Sequence, residues 1–134
     1  MKLVVITMAA ATLAVAAQTK TTQEGIYTDA QATRGEAIYA KSCASCHGAS
    51  LEGSGQAPPL ADKDFATEWD DQPLSDLFER IRTTMPGDAP GTLKPSEVAD
   101  VLAFVLKKGG HTGGSVDLPA DAAALKDVRF RKTS

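Results

Sequence analysis

The ten residues Lys41–Ser50, KSCASCHGAS, hold both cysteines of the chain, three apart, with a histidine directly after the second. Four arrangements use two thiols at that spacing: a disulfide, half of a zinc site, a redox dithiol, or the anchor of a larger group. The flanking residues separate them. Upstream, Gly35, Tyr39 and Cys43 recur at i, i+4 and i+8 with Ile38 beside them, so one helix face leads into the pair. A thioredoxin-type dithiol lies next to a βαβ pattern instead. Structural zinc takes four ligands, often as two spaced pairs. Here there is no second cysteine pair, and the other histidine, His111, stands in a glycine-rich stretch.

The anchor reading uses all three residues, because C-x-x-C-H is the attachment signal of c-type haem. Cys43 and Cys46 would each add to a haem vinyl group, and His47 would face the iron as proximal ligand. A plain disulfide is the bland alternative. Composition favours a bound group. The 134 residues suit one domain, but aromatics are only 5% and glycines number 11, so a protein-only core would be thin. The formal charge of −3 gives no reason to expect nucleic acid as a partner.

The first residues read as an export signal. Met1-Lys2 is a positive end, Leu3 to Ala14 is apolar, and Ala14-Val15-Ala16-Ala17 offers small residues for cleavage. The run is shorter than the ~20 apolar residues of a spanning helix. The expected organisation is a signal peptide over 1–17, a linker over 18–31, a domain over 32–109 and an extension over 110–134, partly extended or disordered. Export places the chain in the periplasm or another extracytoplasmic space, where closely spaced free thiols become oxidised or capped.

A second iron ligand is also visible. Of Met1, Met8 and Met85, only Met85 survives signal cleavage, and it stands in RTTMPGDAPG, residues 82–91. Pro86 and Gly87 put it on a loop. A buried gap-filling methionine is the ordinary alternative. Ahead of it, Leu74, Leu77, Phe78 and Ile81 follow Pro73 at helical spacing and would lie over the haem. A last helix starts at Pro95, with Glu97 at its third position and Val98, Val101, Leu102 and Val105 as its buried stripe. Lys94 stands where a capping Ser, Thr or Asp would be expected.

From about Ala32 to Gly109 the chain resembles a class I, monohaem cytochrome c domain. GEAIYAKSCASCHG resembles the first helix and haem loop, GSGQAPPL the segment that orients the proximal histidine, TTMPG the distal-ligand loop and EVADVLAFVL the final helix. The resemblance implies an all-α cytochrome c fold, three to four helices wrapped round one covalently attached haem c. It implies His47 and Met85 as axial ligands, and single-electron transfer without substrate turnover, hence no enzyme. The Pro58 carbonyl would accept a hydrogen bond from His47 Nδ1–H, fixing the tautomer and strengthening Nε2 as a ligand. Leu60 would cover the haem, and Gly48, Gly53 and Gly55 would let the loop bend round it. In this family the first and last helices cross closely, which Gly35 would permit, with Tyr39 and Phe104 nearby.

Trp69 would wall the haem and reach a propionate, with Phe65 in the same connecting stretch. Arg80 and Arg82 read as solvated charges. Seven acidic residues and one lysine fall between Asp62 and Glu79, a solvated surface by default and a docking face by alternative. The expected partners are transient redox proteins, such as a periplasmic dehydrogenase or a membrane oxidase, met by a monomer. Two other functions stay open. One is a subunit of a quinoprotein dehydrogenase complex attached through the 110–134 tail. The other is a haem enzyme or gas sensor, should Met85 leave the iron.

Overall fold

Three helices begin on a side-chain cap that the sequence supplies. The computed structural model describes residues 19–134, and the expected signal peptide lies outside the described residues. The first helix, α1 (Asp29–Ser42), starts after Thr28, whose hydroxyl accepts from Gln31 N–H at 3.0 Å. A short turn, α2 (Ala44–His47), carries the C-x-x-C-H string. Next, α3 (Lys63–Trp69) is capped by Asp62, which accepts from Phe65 N–H at 2.9 Å. Pro73 precedes α4 (Leu74–Thr84), and Met85 is its C-cap.

The last long helix, α5 (Pro95–Lys108), has Pro95 in its first position. Its N-cap, Lys94, cannot accept from the helix, but Glu97 Oε2 accepts from Lys94 N–H at 2.8 Å, so one half of a capping box survives. A single turn, α6 (Ala122–Leu125), lies in the tail. The fold is all-α apart from one parallel pair, β1 (Lys20–Thr21) with β2 (Val128–Arg129). No helix among the described residues is long and apolar enough to cross a membrane.

The frame of the molecule is the crossing of α1 and α5. At Gly35 the helices meet backbone to backbone: a Cβ there would stand 1.8 Å from the Asp100 carbonyl oxygen. Only hydrogen fits. Next to this contact the Tyr39 and Phe104 rings pack with centroids 5.3 Å apart, as the close-crossing reading expects. Val98, Ala99, Val101, Leu102, Ala103, Phe104, Val105 and Leu106 are all buried, so α5 is wrapped nearly all round.

The 18–31 linker and the 110–134 extension, the latter expected to be partly extended or disordered, both contribute to the core. Tyr27, Leu118, Leu125 and Phe130 are buried within the main core. The Gln31 side chain accepts from Leu118 N–H at 2.7 Å and donates to Leu118 O at 3.0 Å, clamping the tail to α1. Arg34 pairs with Asp117 at 2.7 Å. The tail thus adds Leu118, Leu125 and Phe130 to the core, and burial of those side chains offsets the entropy of ordering it.

Candidate functional site

A cleft of about 270 Å³ opens between α2, the loop that follows it, α3 and the end of α4. All seven residues singled out in the sequence line it. Cys43, Cys46 and His47 come from the α1–α2 segment, Pro58 and Leu60 from the loop. Trp69 comes from the end of α3 and Met85 from the cap of α4. Cys46 is exposed, Cys43 and Met85 are half-buried and His47 is buried.

The loop holds the histidine. His47 Nδ1 lies 2.8 Å from the Pro58 carbonyl oxygen. A carbonyl can only accept, so Nδ1 carries the proton and Nε2 keeps its lone pair, with no hydrogen bond among the described residues. The loop returns on itself to make that bond: Gly53 N–H donates to His47 O at 2.7 Å, and Leu60 N–H to Leu51 O at 3.0 Å. Gly53 has φ +77°, and a Cβ there would stand 2.6 Å from Pro59 N, so the turn requires glycine. At Gly55, by contrast, a Cβ would meet open space.

Cys43 and Cys46 are both free thiols. Burial pushes the Cys43 thiol up to about 11, and the neighbouring Cys46 adds to the rise. Cys43 is therefore a neutral, apolar-compatible group at neutral pH in the haem-free chain. Burial likewise pushes Tyr39 up to about 12, with Cys43 and Glu52 adding to it. Its hydroxyl stays protonated and donates to Gly48 O at 2.7 Å, tying α1 to the haem loop.

Two apolar stripes divide between the cleft and the core. On α4, Leu77 and Ile81 line the cleft, whereas Leu74 and Phe78 are buried in the main core, so only half of the expected face covers it. On α5, Val101 and Val105 reach the cleft while Val98 and Leu102 do not. Phe65 also lines the cleft, from α3, a helix the sequence reading left as a connection. Its signal was present: Asp62 three residues before Phe65 is an N-cap pattern.

Arg80 is exposed, as a solvated charge should be, but it also borders the cleft. It places its guanidinium carbon 5.8 Å from the Trp69 ring centroid. The spacing Leu77, Arg80, Ile81 is i, i+3, i+4, which puts it on the cleft stripe. Arg82 instead pairs with Glu79 at 2.7 Å. His111, the competing imidazole, is outside the cleft: it is buried beside Phe130, with Nδ1 3.2 Å from Thr22 O.

The residues fit a covalently held haem. Two free thiols, an imidazole with an unengaged Nε2 and a thioether face one mostly apolar cleft, and that donor set matches His/Met ligation and double thioether attachment. The chain is 33% identical over 109 residues to the cbb3-type cytochrome c oxidase subunit CcoP of Rubrivivax gelatinosus, covering 80% of this chain and 34% of that one. It thus spans about a third of that relative's length. It is 29% identical over 92 residues to cytochrome c-551 of Bacillus subtilis strain 168, covering 69% of this chain and 77% of that one. Among solved structures, the sulfane dehydrogenase SoxCD of Paracoccus pantotrophus aligns with a TM-score of 0.47 and 21% identity, over 68% of this chain and 54% of that chain. Residues 30–105 match the family described as cytochrome c oxidase, cbb3-type, subunit III. That match takes in more than half of the chain, which therefore belongs to this family of all-α, electron-transferring cytochrome c domains with one covalently bound haem c.

Proposed function

We propose that the chain is an exported monohaem electron carrier in which Cys43 and Cys46 hold the haem and His47 and Met85 are its axial ligands. Pro58, Leu60 and Trp69 complete the surroundings. The observation that carries this reading is convergence: segments far apart in sequence put two thiols, an oriented imidazole and a thioether on one cleft. Bound haem supplies a one-electron ferric/ferrous couple. The chain's own part is to fix the His47 tautomer through Pro58, offer the Met85 thioether, and exclude water with Leu60, Phe65, Leu77, Ile81, Val101 and Val105. Exposed Cys46 marks the side from which a partner approaches the haem.

The role needs no substrate and no catalytic residue. The donor would be a periplasmic dehydrogenase or another respiratory protein, and the acceptor a terminal oxidase, met in small transient contacts. Residues 1–17, as a cleaved signal, would deliver the chain to that compartment. The family's description as an oxidase subunit favours a second reading, a fixed electron-transfer subunit of a larger assembly. Co-purification from native membranes distinguishes the two, since a carrier is recovered alone.

Two measurements test the site. Denaturation in acid and organic solvent should leave haem on the polypeptide, and recovery of free haem and apoprotein would reject attachment through Cys43 and Cys46. Met85→Ala should lower the reduction potential by a sizeable part of the ~0.8 V range that axial ligation spans, because a thioether favours ferrous iron more than water does. The same variant should bind carbon monoxide readily. His111→Ala is the control, and a changed low-spin spectrum there instead would replace Met85 as the distal ligand.

A further inference from the structure

Four rings run in a row from the end of α5 to the cleft. His111 lies edge-on to Phe130 at 5.1 Å, Phe130 edge-on to Phe65 at 6.2 Å, and Phe65 tilted against Trp69 at 6.3 Å. In a chain with four phenylalanines and one tryptophan, this row takes three of those five side chains. Phe65 and Trp69 line the cleft, and Phe130 stands behind them, 2% exposed.

Phe130 is pinned by its own backbone. Its N–H donates to Gln72 O at 2.9 Å, and its carbonyl accepts from Asp71 N–H at 2.9 Å. Both partners lie in the connection between α3 and α4, so the tail is stitched to the segment that carries Trp69 into place. Flanking contacts lock the register. Arg129 O accepts from Thr22 N–H at 3.0 Å, Arg131 pairs with Asp71 at 3.2 Å, and Lys132 N–H donates to Asp70 at 3.1 Å.

Behind the cleft is a second cavity of about 190 Å³, bordered by Phe65, Leu60, Val105, His111 and Phe130. Phe65, Leu60 and Val105 also line the cleft, so they form a partition one side chain thick between the two spaces. A ring with a void behind it has room to swing out of the cleft unless something occupies its far side. Phe130 is what occupies it.

We propose that Phe130 is a positioning residue for the haem site: it holds Phe65, and through Phe65 the Trp69 ring, against the cleft. The C-terminal segment is then part of the redox domain, and it keeps the haem surroundings dry. This rests on the reading that haem fills the cleft. Removing the Phe130 ring enlarges the void, lets Phe65 retreat into it and admits water beside the haem. Water stabilises the more charged ferric state, so the potential falls.

The test compares holoprotein variants by reduction potential and by near-ultraviolet circular dichroism of the single tryptophan. Phe130→Ala should shift the potential downward and alter the Trp69 signal, and Phe130→Leu, which refills the space, should restore most of both. Leu125→Ala, a truncation of another fully buried tail residue that borders neither space, should cost similar thermal stability and move neither readout. Should Phe130→Ala not accumulate as holoprotein, Phe130→Val gives the same comparison with a smaller void. An unmoved potential in the Phe130 variants, or an equal shift in Leu125→Ala, overturns the proposal. Haem released from the wild-type chain by acid and organic solvent would instead overturn the site assignment beneath it.

Discussion

The α1–α5 crossing and the haem cleft are built on opposite principles. At the crossing the protein fills its own space so fully that a Cβ at Gly35 would overlap the Asp100 carbonyl, and Tyr39 and Phe104 close the flank. At the cleft the same helices, joined by α3, α4 and the 48–60 loop, leave a gap edged by thiols, imidazole and thioether. One region is complete in the polypeptide and the other needs an occupant. The two share side chains: Val101 and Val105 belong to the core of the crossing and also line the cleft. The crossing therefore sets where one wall of the cleft stands.

The largest effect should come from denying the cleft its occupant. In Cys43→Ala with Cys46→Ala, haem should not be retained, and the haem loop and the end of α4 should lose most of their packing. Amide hydrogen exchange on that chain is expected to show fast exchange across 48–60 and 81–88 with residual protection in α1 and α5. Uniformly fast exchange would break the comparison, because the crossing would then also depend on haem.

Next in size is the reverse experiment. Gly35→Ala puts a methyl group against backbone, which cannot rotate away, so the helices must part. A cost of about 3 kcal/mol is expected, at the upper end of overpacking. Denaturant unfolding of the holoprotein measures it. Gly55→Ala in the haem loop is the matched control with an expected change near zero, since nothing stands within 4 Å of that Cβ.

These two regions also differ in how plainly the sequence declares them. The cleft is legible because its chemistry is local and rare: C-x-x-C-H names three residues at once, and Met85 is the one methionine among the described residues. The crossing is legible through Gly35, Tyr39 and the Val98–Val105 stripe, which are periodic. What escapes is contact set by distant partners. Leu118, Leu125 and Phe130 sit in a stretch whose glycines, single proline and charges read as a partly extended or disordered extension, and only the three-dimensional neighbours Gln31, Gln72 and Thr22 show it to be docked. The contact of exposed Arg80 with Trp69 is a similar case, since it depends on where Trp69 lies.

A smaller, graded effect is expected from pH on the tail side. Burial holds the His111 imidazole below its ordinary value, partly opposed by its hydrogen bond to Thr22 O. The unfolded chain then binds more protons than the folded one below pH ~6.5. Stability is fully present above that pH and is lost as pH falls through the folded value. The groups around His111 are Phe130, Thr22 O and the Tyr27 hydroxyl on its carbonyl, with Asp62 and Lys63 bordering the same cavity. Thermal unfolding between pH 5 and 8 should show this slope, and His111→Gln should flatten it. A slope that survives the substitution would assign it to carboxylates elsewhere.

The smallest effect concerns the acidic run from Asp62 to Asp71, where the two halves of the molecule meet in charge. The structure divides the run into two groups with different work. Asp70 and Asp71 hold the tail through Lys132 and Arg131, while no ion pair within the described residues engages Asp62, Asp64 or Glu68. Neutralising Asp71 should therefore loosen the tail by ~0.5 kcal/mol, the scale of an exposed pair, and leave encounter rates nearly unchanged. Neutralising Asp64 and Glu68 should do the opposite: leave stability alone and slow electron transfer to a basic partner a few-fold at low salt, fading near physiological ionic strength, where screening acts over ~8 Å. Asp62 is left intact in both variants because it caps α3. The two rates at low salt decide the matter. Equal slowing in both variants would mean that the run acts as one diffuse field, and slowing in neither would remove it from partner approach while the tail contact stands on its own measurement.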